Sequence, residues 1–177
     1  MPSTPEAATA YLDLAATLSS DFDMRLALTP LVTQASIPDD VVARAMELGG
    51  NELSSDFDLR VLLAESAPRV GQSDELARAY TRAAASISSD FDQREVLTAL
   101  ANGADLTPVG WALLLEAAQS ISGDFDTATL LTTVATDMPR DETVLAAYRK
   151  TLDTIDGDFD RQRAAAALEG SRRRGED

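Results

Sequence analysis

The chain has no cysteine and no histidine, and each absence closes off a class of chemistry. Without thiols there are no disulfides, no Cys-His nucleophile pairs and no thiolate metal sites. Without imidazole, Ser-His catalysis and zinc sites of the usual ligand types are excluded as well. Aromatic residues are scarce, with one Trp, three Tyr and five Phe, so the position of each is informative. Basic residues number 15 against 30 acidic, and the formal net charge of -15 argues against nucleic acid and anionic membrane as partners and for basic proteins or peptides. No stretch reaches the ~18 apolar residues a membrane span needs. The N-terminal MPSTPEAATAYLDLAATL has no basic start and carries Glu6 and Asp13 within its apolar run, unlike a secretory signal. The expectation is a soluble chain, cytoplasmic by default, although an exported fragment whose signal had been removed would read the same.

What the chain has is a repeat. Asp-Phe-Asp occurs five times, as Asp21-Phe22-Asp23, Asp56-Phe57-Asp58, Asp90-Phe91-Asp92, Asp124-Phe125-Asp126 and Asp158-Phe159-Asp160. The first aspartates are 35, 34, 34 and 34 residues apart, a period that predicts a solenoid of helix pairs. All five phenylalanines lie in these motifs, and the three tyrosines, Tyr11, Tyr80 and Tyr148, each stand ten residues before a motif Asp. Met46 and Leu114 fill that place in the other two units.

Before each motif, apolar residues recur at helical spacing, as in Leu76, Tyr80, Ala83 and Ile87 or Val144, Tyr148, Leu152 and Ile155, which predicts an amphipathic helix of about four turns. Thr4-Pro5, Ser73-Asp74, Thr107-Pro108 and Asp141-Glu142 mark its start with an N-cap oxygen followed by a first-turn residue. The second unit differs, with Ile37 before Pro38 and one extra residue. After each motif a shorter helix carries its own stripe: Leu62 and Leu63; Val96, Leu97 and Leu100; Leu130, Leu131 and Val134. APRVGQS, NGADLTP and TDMPRD break the helices between units. The fold class expected is all-α, a right-handed alpha-solenoid of five helical hairpins at about 3–35, 36–70, 71–104, 105–138 and 139–170, forming one domain. The residues 171–177 are expected to be a disordered tail.

The 34-residue helix-pair period is similar to tetratricopeptide-like and HEAT-like alpha-solenoids, without the Trp, Leu-Gly, Tyr, Ala and Pro pattern of the former. More narrowly, Ile87 to Leu97, I-S-S-D-F-D-Q-R-E-V-L, resembles repeats of the form I-x-S-D-F/Y-x-x-R-x-x-L in bacterial proteins, some attached to membrane-bound sensor-type metallopeptidases. The resemblance covers nearly the whole chain. It implies a bacterial accessory or interaction domain and brings no catalytic residues, since the zinc-ligand motifs of such peptidases are absent.

Read as a joint between helices, the motif gives each residue a task. The first Asp is expected to cap the second helix, and both carboxylates to sit at the positive end of its dipole. Gly123 and Gly157, with Ser20, Ser55 and Ser89 as counterparts, stand where the chain reverses, a place that often wants left-handed backbone. Arg25, Arg60 and Arg94 lie four residues after the first Asp, the favourable order for an ion pair within one helix. Each Phe falls some 120° from the leucine stripe of its own helix. A ring of ~150–250 Å² repeated five times is expected to pack into the elbow or against the next unit, so that Phe91→Ala costs about 3–5 kcal/mol.

A calcium site is the sharper alternative, because Asp156 to Asp160 alternates oxygens as a binding loop does. Counting from Asp156, however, Arg161 and Ala167 stand where such a loop needs Gly and Glu, and the other copies offer only two carboxylates. Trp111 reads as a core residue rather than a ligand-stacking one. Arg161, Arg163 and Arg172 to Arg174 read as a solvated basic tail, and Asp39-Asp40 and Asp74-Glu75 as helix-dipole partners rather than acid/base pairs. No catalytic, cofactor-binding or metal residue is assigned. The expected function is a non-enzymatic module that binds a basic protein or peptide, with a structural spacer or regulatory domain of a larger assembly as the alternative.

Overall fold

The computed structural model of the chain describes residues 5–174, with side chains from 6 to 170. Among the described residues there are ten α-helices and no strand. They pair as α1 (Pro5–Ala15) with α2 (Asp21–Thr33), α3 (Asp39–Glu52) with α4 (Asp56–Val70), and α5 (Asp74–Ala84) with α6 (Asp90–Gly103). The remaining pairs are α7 (Pro108–Ala117), extended by a 3-10 turn (Ala118–Ser120), with α8 (Asp124–Val134), and α9 (Glu142–Leu152) with α10 (Asp158–Arg174). Each odd helix packs on the next odd helix and each even helix on the next even one, so the hairpins stack as repeated units. α10 is described through Arg174, past the Gly170 boundary, and residues 175–177 lie outside the described part. No described helix is long and apolar enough to cross a membrane.

Local chemistry sets the helix starts. Ser73 accepts from the Leu76 amide, Thr107 from Gly110, and Asp141 from Thr143 and Val144, so the expected N-caps of α5, α7 and α9 are in place. Each occupies amide donors that the first turn leaves free. Pro38 precedes α3 without a side-chain cap. Four of the five odd-helix ends carry a hydroxyl four residues before the motif: Thr17, Ser86, Ser120 and Thr154 donate to the carbonyls of Leu14, Ala83, Ala117 and Thr151, while Glu52 stands there in the second unit.

One continuous apolar core runs along the stack, including both leucine stripes and Trp111. The tyrosines bolt the two helices of a hairpin together. Tyr11, Tyr80 and Tyr148 donate to the carbonyls of Ala27, Val96 and Ala164 at 2.8–2.9 Å. Burial pushes the Tyr80 and Tyr148 phenols far above their ordinary pKa, which keeps them neutral donors. Gly50 lets α3 and α5 approach: a methyl there would lie 2.8 Å from the Ala83 Cα, too near for any side chain. That contact explains a glycine inside the last turn of α3, where helix propensity alone disfavours it by up to ~1 kcal/mol relative to Ala.

Candidate functional site

The five motifs begin the five even helices and so form one edge of the stack, with one Asp-Phe-Asp per unit. Their detailed roles differ from the expectation in four respects.

The cap is the serine, not the aspartate. Ser20, Ser55 and Ser89 accept from the amides of Asp23, Asp58 and Asp92, at 3.2 Å in each case. The first Asp is then already the first helical residue, where its side chain points away from the helix's own free amides. Its carboxylate instead receives donors from the following unit. Asp21 takes the Ser54 hydroxyl at 2.7 Å, Asp90 the Ser122 amide at 2.9 Å, and Asp124 the amides of Asp156 and Gly157 at 3.2 and 2.8 Å. Asp56 is the best satisfied, with the Ser88 hydroxyl and the amides of Ser88 and Ser89. Partial desolvation works to raise its pKa, but these three hydrogen bonds outweigh that and hold the carboxyl below its ordinary value.

The chain reversal needs no left-handed residue. Gly123 has φ -85, and Gly71 alone among the described residues has a positive φ. The extended backbone before each motif is what aims the amides of the second unit at the carboxylate of the first.

The arginines do not pair with the first Asp of their own helix, although Arg94 also meets its neighbour Glu95 at 2.9 Å. Arg25 Nε lies 2.8 Å from Asp58 of the next unit, Arg60 Nε 2.6 Å from Asp92, and Arg94 Nε 3.2 Å from Asp126. Only the first has the alignment of a hydrogen bond; the other two are ion pairs by proximity. The carboxylate within reach is the second motif Asp of the next unit, not the first motif Asp four residues back.

The phenylalanines are not in the core. Phe22, Phe57, Phe91, Phe125 and Phe159 are 55, 56, 54, 61 and 78% exposed. The elbow they were expected to fill is occupied by the residue three before each motif: Leu53, Ile87, Ile121 and Ile155 are buried there, with Leu18 half-buried in the first unit. The wheel position off the leucine stripe was a real signal, and it means solvent. One ring face is covered all the same. The guanidiniums of Arg25, Arg60 and Arg94, three residues on, lie 5.0–5.1 Å from the ring centroids of Phe22, Phe57 and Phe91. Such cation-π contacts contribute about 0.5–1 kcal/mol at exposed sites.

Each of the first three seams between units therefore holds a guanidinium between a phenyl ring of one unit and the second motif Asp of the next. The fourth seam has the same arrangement from a different residue. Ala128 stands where the arginine should be, and Arg163 reaches back from the fifth unit to within 5.2 Å of the Phe125 centroid while pairing with Asp160 at 3.1 Å. It also donates to the Phe125 carbonyl and the Thr129 hydroxyl, both at 3.2 Å. Sequence reading placed Arg163 in a basic tail and missed this role. The signal was available: the fourth unit lacks its arginine and the fifth has gained one a single position out of phase.

The opposite, odd-helix face is polar and varied. A groove of about 360 Å³ between α3 and α5 is lined by Asp40, Arg44, Glu47, Glu75, Arg78 and Arg82. Among the described residues no three acidic side chains converge to hold a metal ion, the motif aspartates being turned to amides, hydroxyls and guanidiniums instead. What the edge offers chemically is a row of π faces set among carboxylates, an arrangement that attracts cations.

No family model matches this chain, and no curated protein or solved structure does so either.

Proposed function

We propose that this chain is a non-enzymatic helical-repeat module that binds a basic peptide or protein segment along its Asp-Phe-Asp edge. One observation carries the reading: all five phenylalanines of the protein are exposed, one per unit, in a row. Of the eight large apolar side chains exposed among the described residues, five are these rings. Exposed aromatics rimmed by polar groups are what interaction surfaces are made of. Charge supplies the sign of the partner. Ten motif aspartates face Arg25, Arg60, Arg94, Arg161 and Arg163 at the starts of the same helices, within a chain of net charge -15. The likeness to bacterial I-x-S-D-F/Y-x-x-R-x-x-L repeats supports the same reading, an interaction or accessory domain.

A structural spacer is the second reading, and the seams favour it, because a ring that steadies an inter-unit arginine has a use without any ligand. The test is an unbiased peptide-display selection on the chain and on a Phe57→Ala, Phe91→Ala, Phe125→Ala variant. The binding reading expects basic sequences whose capture drops at least about tenfold on the variant, a change of ~1.4 kcal/mol. Absence of enrichment, or enrichment indifferent to the rings, favours the spacer.

A further inference from the structure

The periodicity of the edge constrains what can lie on it. The even helices that carry the rings pack directly on one another, and packed helices stand ~8–10 Å apart. The rings and their carboxylates therefore recur at about that interval. An extended strand repeats its side chains on one face every ~6.7 Å, so it falls out of step within two units. A polyproline II helix has three residues per turn and a ~3.1 Å rise, so every third side chain returns to the same face after ~9.3 Å, inside the spacing of the units. An α-helix comes back to one face at comparable distance only every seventh residue, and it needs a trough to lie in; the groove described above lies between odd helices, away from the edge. A second copy stacked end to end does not extend the seams, because the positions that supply the guanidinium are Gln162 at one end and Leu26 at the other.

We propose that the occupant of the Asp-Phe-Asp edge is a proline-rich segment in polyproline II conformation with an arginine or lysine at every third residue. The inference rests on the reading of the edge as a binding surface and deepens it. Proline rings pack against the exposed phenyl faces, as such helices do on aromatic surfaces, at little cost in conformational entropy. The cations meet the motif carboxylates once per unit. The arginines already seated on Phe22, Phe57, Phe91 and Phe125 hold those rings upright, so the surface is ordered before the ligand arrives.

The test uses two synthetic 15-residue peptides of identical composition. One is five tandem Arg-Pro-Pro triplets; the other has its five arginines at every second position followed by a proline block. Affinities for the intact chain are measured by fluorescence anisotropy at low salt, with the Phe57→Ala, Phe91→Ala, Phe125→Ala variant as control and circular dichroism to show that it is folded. The expected result is a preference of about tenfold or more for the triplet peptide, lost on the folded variant. Equal affinity for both peptides, lost on the variant, overturns the register while leaving the edge as a cation-binding surface. Binding that the variant does not weaken overturns both, and no binding of either peptide overturns the inference.

Discussion

The first three seams and the fourth reach one arrangement by two routes. In the first three, an arginine five places into the even helix, counting the motif Asp as one, reaches forward to the next unit. In the fourth, an arginine six places into the following helix reaches back. The ring, the guanidinium and the second motif Asp are common to all four, while the backbone position of the arginine is not. The position of the charge is therefore the constrained quantity, and the sequence position that supplies it is free to move.

If the two routes are equivalent, moving the arginine should be tolerated and removing it should not. Arg163→Ala strips the fourth seam of its guanidinium and leaves Asp160 facing a bare ring; a partly exposed pair with a cation-π contact is worth roughly 1–2 kcal/mol in all. Urea unfolding should show that loss, and the double variant Ala128→Arg, Arg163→Ala should recover most of it. A double variant no more stable than Arg163→Ala would separate the fourth seam from the others. A smaller effect concerns acid. Asp56 has a depressed pKa in the folded chain, so its contribution is present above the unfolded-state value of ~3.9 and is lost as pH falls through the folded value. Ser88→Ala removes one of its donors and should lower stability at neutral pH, where that contribution is fully present, with little change below the folded value, so the fall in stability through the acid range becomes shallower. An unaltered profile would show that the second seam's carboxylate is not held by those hydrogen bonds.

The repeat, the helix pairs, the caps at Ser73, Thr107 and Asp141 and the burial of Trp111 were all readable from spacing and residue type, because they depend on local propensity and on a period of 3.6. The Asp-Phe-Asp edge was legible as a position and misread in its contacts. An aspartate at one phase in the next unit is the same letter as an aspartate four residues back, so the direction of Arg25, Arg60 and Arg94 is not encoded in any single unit. The burial of Phe was inferred from its size. Size does not decide exposure when a charged side chain three residues on can cover one face and leave the other to solvent.

The central claim is that the motif phenylalanines belong to the surface and not to the core. Equilibrium unfolding of Phe91→Ala beside Leu97→Ala tests it within one helix. The structure predicts a loss of about 1 kcal/mol or less for the ring, the scale of its cation-π contact, against about 2–5 kcal/mol for the buried leucine. A Phe91→Ala loss of about 3–5 kcal/mol, equal to that of a core truncation, would contradict the account.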